Sequence, residues 1–468
     1  AVIRENVIKK GYIKGIIGLP ANLFYGTGIP ATIIVLDKEN AQNRKGIFMI
    51  DAGKGFIKDG NKNRLREQDI KKITDVFNDF IEVDGYSRMV SVAEIEQNEF
   101  NLNIPRYIDS TETEDIQDIE AHLLGDIPTV DVDDLGEYWK VYPTLKDSLF
   151  GGSERNKYST LKVEKDAIKG TIFTHPEFMK FQKEMDTIFD RWKTQSIAEL
   201  KTIDIGNNPK EIIAELAHRL LASYDERDLI DKYDIYQYLM IYWNETMQDD
   251  CYIIAFDGWV AKTHRVIEIK KKKEVDKGWD CDLVPKDLVI HRYFMDEQNA
   301  LNTLEEEKDS IEIQLTEMEE ENSGEDGCFS DLDKVNKGNI KARFKELKTE
   351  DDSETDIEIF TAYLSLMDRL AKAKKSIKTA TTELDAMLYD KYPKLTTDEV
   401  TILVVDDKWM ATIENDISNE IDQISQKLSN RIKELAERYE NTLPELDVEV
   451  EVLEQKVDDH LKKMGFEW

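Results

Sequence analysis

The sequence predicts an α/β segment with a few late sheet strands, followed by a mainly α-helical region with a long antiparallel helical hairpin and a terminal helical bundle. Two patterns predict this division. Near the N-terminus, short runs rich in β-branched residues, "GYIKGIIGLP" and "ATIIVLDK", are separated by glycine and proline turns. Beyond residue 166, apolar side chains recur every three or four residues, which is the period of an amphipathic helix.

Composition limits the classes of protein to consider. With 468 residues the chain exceeds one ordinary core and predicts about two to four domains. No apolar run reaches the roughly 18 residues that span a bilayer, and the first residues lack the zones of a signal peptide. The three cysteines and six histidines show no disulfide or metal-ligand spacing. We therefore expect a cytoplasmic protein with no metal site and no membrane partner.

Charge is divided unevenly along the chain. Residues 1–90 carry 15 Lys and Arg against 11 Asp and Glu, a net of +4, whereas the whole chain carries −34. The remainder therefore carries −38, which suits solvation or a basic protein surface. A slightly basic segment can approach a polyanion such as nucleic acid.

Residues 1–90 begin at Ala1 with a short amphipathic helix and a strand, so only the last strands of an α/β sheet are expected there. Between the two strand runs stands "FYGTG", Phe24 to Gly28. A Gly-x-Gly pattern can open a cofactor loop, but such a loop leads into a helix that presents free N–H groups. Here a strand follows, and we predict a turn between strands instead.

Three further segments follow the first. Residues 91–165 are a connector with a helix in "TETEDIQDIEAH" and a boundary near Gly151-Gly152. Residues 166–292 are mainly helical, with "CYIIAFDGWV" and "RVIEIK" as a small strand pair. In this segment one apolar helix face is expected from Phe178, Phe181, Met185, Ile188 and Trp192. Residues 293–390 form the hairpin, an antiparallel coiled coil that either reaches a partner or stands as a self-contained projection.

The last segment, residues 391–468, is expected to hold a strand in "EVTILVV" and two C-terminal helices. The first helix carries nine apolar positions between Trp409 and Tyr439, and the second carries six between Leu446 and Met464. Burying a large apolar side chain contributes roughly 1.5–3 kcal/mol, so these faces must be covered. Either a partner covers them, or the helices pack on the chain's own helical region.

Several stretches together resemble a known family. "GYIKGIIGLPANLFYGTGIPATIIVLDK", "GIFMIDAGKGF" and "NRLREQDIKKITDVF" resemble the late part of the catalytic domain in modification subunits (M, DNA methyltransferase) of type I restriction-modification systems. The segment "FNLNIPRYID" resembles the exit from that domain. "LTTDEVTILVVDDKW" and the final helices resemble the C-terminal region of a longer branch. The resemblance implies that residues 1–90 are the C-terminal part of a Rossmann-like methyltransferase domain, and that the activity is adenine methylation of DNA from S-adenosylmethionine.

One departure from the family pattern concerns the chemistry. The family's S-adenosylmethionine loop and its Asn-Pro-Pro-aromatic tetrapeptide precede the matching stretch, and this chain contains neither. Its one Asn-Pro pair, Asn208-Pro209, precedes Lys210. We therefore expect a C-terminal fragment of a larger subunit, with its catalytic residues upstream of Ala1 and no cofactor of its own. The alternative is a helical protein-interaction module without a catalytic role.

The resemblance also implies binding residues. The rim of the pocket for the target base would comprise Phe24, Tyr25, Gly26, Thr27 and Gly28, although burial of Phe24 in the core is favoured over stacking. Independently of the resemblance, five basic residues cluster in a glycine- and asparagine-rich loop and could contact DNA phosphates, or else this loop is simply solvated: Lys54, Lys58, Lys62, Arg64 and Arg66.

Partners follow from the resemblance as well. They are DNA, the specificity subunit that reads its sequence and, as a further candidate, the restriction subunit. Docking of the specificity subunit is expected on Ile421, Ile424, Leu428, Ile432, Leu435, Leu453, Val457 and Leu461.

Overall fold

The computed structural model describes residues 2–111, 115–270, 273–324, 327–330, 332, 334–347 and 354–465. Its chain divides into two compact units. Unit 1 comprises residues 1–200, 208–248 and 412–468, and unit 2 comprises residues 201–207 and 249–411. The five segments expected from the sequence stay predictions, and the two units combine them differently.

Unit 1 begins with an α/β segment. Its elements are α1 Val2–Lys9, β1 Ile13–Gly18, β2 Thr32–Leu36, β3 Gly46–Asp51, β4 Ile57–Asp59, β5 Lys62–Arg64, α2 Glu67–Asp79, β6 Ser87–Ser91 and α3 Val92–Gln97. A four-stranded mixed sheet has the order β2-β1-β3-β6. Strand β1 is parallel to β3 and antiparallel to β2, and β6 is antiparallel to β3. The strands predicted near the N-terminus therefore lie in one mixed sheet.

The start of the chain bears on one further prediction. The short helix expected there is α1, which begins at Val2. The catalytic residues are expected upstream of Ala1. Ala1 itself lies outside the described residues. The position of the catalytic residues therefore stays a prediction.

Helices cover both faces of this sheet because its buried side chains alternate. Ile16 and Met49 belong to one apolar cluster with Ile8 of α1, whereas Ile17 and Phe48 belong to another, with Val76 of α2. This period of two is what a strand buried on both faces requires.

The rest of unit 1 is mostly helical. Its further elements before residue 248 are α4 Ile119–Leu124, β7 Ile127–Pro128, α5 Thr129–Asp133, α6 Gly136–Val141, α7 Pro143–Leu149, β8 Phe150–Gly152, β9 Tyr158–Leu161, α8 Ile168–Phe173, α9 Pro176–Leu200, α10 Pro209–Ser223 and α11 Lys232–Tyr242. The helix expected from Thr111 is shorter and begins at Ile119, because Asp118 caps it by accepting a hydrogen bond from the Ala121 N–H. Residues 112–114 of that prediction lie outside the described residues.

Helix α9 confirms the predicted amphipathic face in most positions. Phe178, Phe181, Met185 and Trp192 are buried, but Ile188 is only partly buried. The neighbouring Phe189 is buried in its place. Its ring lies 5.5 Å from that of Trp192, so the larger aromatic side chain completes the buried face.

Unit 2 contains α12 Gln248–Asp257, β10 His264–Lys270, β11 Lys273–Asp280, α13 Lys286–Tyr293, α14 Met295–Asn322, α15 Lys337–Leu347, α16 Glu354–Lys391 and α17 Thr397–Ile402. The predicted strand in "CYIIAFDGWV" is wrong, because these residues belong mostly to α12. "RVIEIK" does lie in a strand, but its antiparallel partner is "KEVDKGWD".

Two long helices of unit 2 lie side by side. Arg369 of α16 pairs with Glu307 of α14 at 3.3 Å, and Tyr363 donates a hydrogen bond to Glu319. An apolar cluster between them contains Ile311, Leu315, Phe360 and Tyr363.

The strand predicted in "EVTILVV" is wrong as well. Helix α17 begins after a capping box in which Thr396 and Glu399 bond each other's backbone N–H, and a π-helical turn, Leu403–Met410, continues it. Val400, Leu403 and Val404 are almost completely buried. A short, mostly apolar run fits a buried helix as well as a buried strand, which explains the error.

Two helices end unit 1. They are α18 Ala411–Arg438 and α19 Leu443–Lys463. Within the described residues, no helix is long and apolar enough to cross a membrane.

Candidate functional site

The site lies where the parallel strands β1 and β3 end, at Gly18 and Asp51. Ligands of open α/β sheets bind outside the carboxyl ends of parallel strands. Two loops leave this edge, residues 19–31 after β1 and residues 52–56 after β3. We call these two loops and the β4–β5 hairpin the edge loops.

The first edge loop exposes two aromatic side chains. Phe24 is 55% exposed and Tyr25 is 91% exposed, so the expected burial of Phe24 in the core is wrong. The loop lies beyond the end of the sheet, and Leu19, Leu23 and Ala31 attach it to the core instead. The turn at Gly26 requires a positive φ of 79°, which glycine adopts without strain.

The β4–β5 hairpin is fastened to this loop. Asn63 donates a hydrogen bond from its side chain to the Ala21 carbonyl at 2.7 Å and from its backbone to the Asn22 carbonyl at 3.0 Å. The Nζ atom of Lys62 then lies 3.1 Å from the centre of the Tyr25 ring and has no hydrogen-bond partner among the described residues. The structure therefore brings together two predicted residues that are 37 positions apart in sequence.

The predicted phosphate-binding residues have different environments. Arg66 forms an ion pair with Asp69 at 2.9 Å, which raises the pKa of the Arg66 guanidinium. Arg64 likewise pairs with a carboxylate of its own hairpin, at 3.4 Å. Lys54 and Lys58 are exposed. The Asp69 carboxylate thus stabilises the first turn of α2 and holds the Arg66 side chain there, whereas the side chains of Lys54 and Lys58 are open to solvent.

Sequence patterns assigned no role to Asp51, although it directly follows a buried strand. Its carboxylate accepts hydrogen bonds from the Ser110 hydroxyl at 2.7 Å and from the Gly53 N–H at 3.1 Å. Ser110 lies just beyond "FNLNIPRYID", so this carboxylate connects the sheet edge with that segment. An acidic residue at the end of an apolar run was the signal in the sequence.

A second group of polar residues that sequence reasoning missed lies between α2 and α11. Gln68 donates from its side chain to Asp234 at 2.6 Å, and its backbone N–H donates to Gln237 at 3.0 Å. Burial raises the pKa of Asp234. These residues line a cavity of about 580 Å³, which is also lined by Arg64 and Tyr238. The contacts are 166 to 169 residues apart, a separation that no local pattern reveals.

The predicted docking residues divide between the two last helices. Those on α18, namely Ile421, Ile424, Leu428, Ile432 and Leu435, are at most 5% exposed. This burial supports packing on the chain's own helices, the competing interpretation, and leaves these five side chains no free surface. On α19, by contrast, Leu453 is 50% and Val457 is 56% exposed, and Leu461 is partly exposed.

The residues present do not fit a bound S-adenosylmethionine. The Gly26-Thr27-Gly28 loop leads to the antiparallel strand β2, so no helix N-terminus in the described chain directly follows it to present its N–H groups. Among the described residues, no group of His, Cys, Asp and Glu has the arrangement of a metal site. What the edge loops offer is an aromatic surface beside exposed cations. Such a surface can stack on a planar group and attract phosphate.

Comparison with known proteins gives a family match that includes the edge loops. Residues 1–116 match the family model of the N-6 DNA methylases. The type I restriction enzyme MjaVII methylase subunit of Methanocaldococcus jannaschii is 36% identical over 125 residues, which are 26% of this chain and 22% of that protein. The MpnII methylase subunit of Mycoplasma pneumoniae is 31% identical over 127 residues, 27% of this chain and 23% of that protein.

A solved structure gives a match of the same class. The type I restriction-modification system methyltransferase subunit from Streptococcus thermophilus is 40% identical over 23% of each chain, with a TM-score of 0.22. The chain covers less than a quarter of the length of the curated relatives above. Residues 1–116 therefore match the N-6 DNA methylases, and part of the chain is similar to the methylase subunits of type I restriction enzymes.

Proposed function

We propose that this chain is part of a subunit that methylates adenine in DNA with S-adenosylmethionine, within a type I restriction-modification system. The match of residues 1–116 to the N-6 DNA methylases carries this proposal. The catalytic and cofactor residues belong to a part of the subunit that this sequence does not contain, and the chain alone neither binds the cofactor nor methylates DNA.

The exposed edge of the sheet supports the proposal that the sheet of the intact subunit has further strands. Strand β2 is the outer strand, and Ile33, Ile34 and Leu36 on it are 47%, 53% and 65% exposed. An apolar edge strand tends to pair with another strand. In the intact subunit, a strand of the catalytic part pairs with β2 and covers these side chains.

Phe24 and Tyr25 border the pocket for the target base in this proposal. An adenine turned out of the duplex would stack on an exposed ring, an interaction that contributes about 1–3 kcal/mol per base. The Lys62 ammonium beneath the Tyr25 ring holds that ring in place.

Lys54, Lys58 and Arg64 contact DNA phosphates in this proposal, whereas the Lys62 ammonium is buried beneath the Tyr25 ring. Such contacts position a protein but do not read sequence. Binding of DNA by the chain alone is therefore weak, sensitive to salt and indifferent to sequence. Reading of the sequence belongs to the specificity subunit, which docks on α19, and a restriction subunit completes the assembly.

The second candidate function is a helical interaction module without a catalytic role. The exposed apolar side chains of α19 favour it, because they offer a contact surface that needs no chemistry. In that case the resemblance of residues 1–116 reflects ancestry alone.

A methylation assay on the intact subunit with its specificity subunit tests the proposal. The F24A/Y25A variant should lower the rate of methyl transfer about tenfold or more, because the stacking surface is lost. F256A, which removes an aromatic side chain that is 82% exposed outside the edge loops, should leave the rate unchanged.

Calorimetry on the chain alone gives the second arm. No heat of S-adenosylmethionine binding is expected at micromolar concentration. Cofactor binding by this chain would contradict the division of roles. An unchanged methylation rate in F24A/Y25A would remove the edge loops from the target-base pocket.

A further inference from the structure

Three arginines line one depression in unit 1, remote in sequence from the edge loops. Helix α9 presents Ile188, Arg191 and Gln195, which recur at helical spacing on one face. Helix α10 presents Arg219, Ala222 and Ser223 in its last turns, and Arg227 follows it. These seven residues, which we call the arginine pocket, enclose about 330 Å³.

The arginine pocket contains three guanidinium groups, and carboxylates among the described residues pair with one of them. None of its described lining residues is acidic. Arg219 pairs through Nη1 with Glu199 and, at 3.4 Å, with Glu215, while its Nε and Nη2 atoms are buried without an acceptor among the described residues. Within the described part of the chain, neither Arg191 nor Arg227 forms an ion pair, and both side chains are exposed.

Such a cluster is unusual on this molecule, because the chain as a whole carries a net charge of −34. Guanidinium groups that share one depression repel one another, and an anion between them removes that repulsion. The C-terminal carbonyls of α10 act in the opposite direction, since a helix C-terminus disfavours negative charge. Hydrogen bonds from guanidinium to an anion are stronger than this dipole effect.

We propose that the arginine pocket binds a phosphate-bearing anion. The planar guanidinium of arginine donates two parallel hydrogen bonds to phosphate oxygens, and three such groups suit a di- or triphosphate or neighbouring backbone phosphates. The Nε and Nη2 atoms of Arg219 form the fixed part of the site. Arg191 and Arg227 close on the anion from its two sides.

Inorganic pyrophosphate, titrated calorimetrically into the full chain, tests for a free phosphate ligand. The R191Q/R227Q variant should weaken pyrophosphate binding about tenfold or more. Both side chains are exposed, so their replacement should leave folding intact, and circular dichroism checks this. The matched control is K183Q/K210Q, which removes the same two charges from exposed positions of α9 and α10 outside the pocket. It should change binding less than about twofold.

Duplex DNA is the second probe, measured by fluorescence anisotropy at two salt concentrations. If R191Q/R227Q weakens DNA binding and the control does not, while pyrophosphate shows no binding, the phosphate is that of a nucleic acid backbone. If R191Q/R227Q and K183Q/K210Q behave alike toward both probes, the proposal is overturned. A K54E/K58E variant tests the edge loops separately, so failure of one site is distinguishable from failure of the other.

Discussion

Helices α18 and α19 follow one another in the chain and carry similar apolar repeats, but their environments are opposite. Ile413, Leu428 and Leu435 of α18 are fully buried, whereas Leu446, Val450 and Leu453 of α19 are 39–52% exposed. Nothing in the spacing of the two repeats distinguishes them. The periodicity predicts that each segment is a helix, but it does not predict what covers its apolar face.

The difference comes from contacts far away in sequence. On α18, Glu414 pairs with Lys193 of α9 at 2.6 Å, and Glu420 accepts a hydrogen bond from Tyr238 of α11 at 2.7 Å. Helix α19 begins with a capping box, yet none of its described side chains is buried. A helix that is well capped and uncovered is one whose apolar face is available for a partner.

The largest expected effect is on α18. I421D/L428D places two carboxylates at positions that are 2% and 0% exposed. Burying an unpaired charge costs several kcal/mol, so the two changes together should exceed about 5 kcal/mol and abolish cooperative unfolding. Thermal unfolding followed by circular dichroism measures this. A variant that stays folded would show that α18 does not belong to the core.

The same change on α19 sharpens the contrast. V450D/V457D alters side chains that are 52% and 56% exposed, and it should change the free energy of unfolding by no more than about 0.5 kcal/mol per site. The measurement is again thermal unfolding followed by circular dichroism. A large loss of stability here would mean that α19 is covered within the chain.

The next expected effect is on the docking of the specificity subunit on α19. If α19 receives the specificity subunit, as we propose, L453D/V457D should abolish co-purification of the two subunits without changing the stability of the chain. The matched control is V448D/V452D, which also adds two carboxylates at exposed positions of α19, but away from Leu453 and Val457 around the helix. Equal loss in both variants would indicate a general effect of charge, and retention in both would place docking elsewhere, most simply on α14 and α16.

The sequence predicted those parts of the fold that depend on local patterns, and not those that depend on long-range contacts. Local patterns were sufficient for the strands β1 and β2 and for helices such as α9, because apolar period and turn residues act over a few positions. They were insufficient for "EVTILVV" and "CYIIAFDGWV", where continuous apolar runs fit a buried helix or a buried strand equally well.

The candidate site was predictable in composition but not in arrangement. The glycines around Tyr25 indicated a turn, and the turn is there. Lys62 lies under the Tyr25 ring because Asn63 bonds the β4–β5 hairpin to the loop after β1. This contact forms only when the sheet edge is folded, so the sequence did not predict it. The exposure of Phe24 had the same origin, since the loop passes beyond the sheet and leaves the ring without a covering face.

A further small effect concerns the C-terminal part of α18, which carries Arg431 and Arg438. Asp115 pairs with Arg438 and, at 3.1 Å, with Arg431, and these guanidiniums lower the pKa of the Asp115 carboxyl to about 2. Because the folded pKa lies below its ordinary value, the contribution to stability is fully present above about pH 4. It is lost as the pH falls toward about 2.

D115N should therefore reduce the free energy of unfolding at neutral pH and flatten its dependence on pH between about 4 and 2. The side chain of Asp115 is 42% exposed, so solvent screens the pair and the reduction should stay below about 1 kcal/mol. Urea titrations at about pH 7 and about pH 3 measure it. D447N on α19, an acid without an ion pair among the described residues, is the control and should change neither value. An equal shift in D115N and D447N would show that the ion pairs do not fasten α18 more firmly than α19.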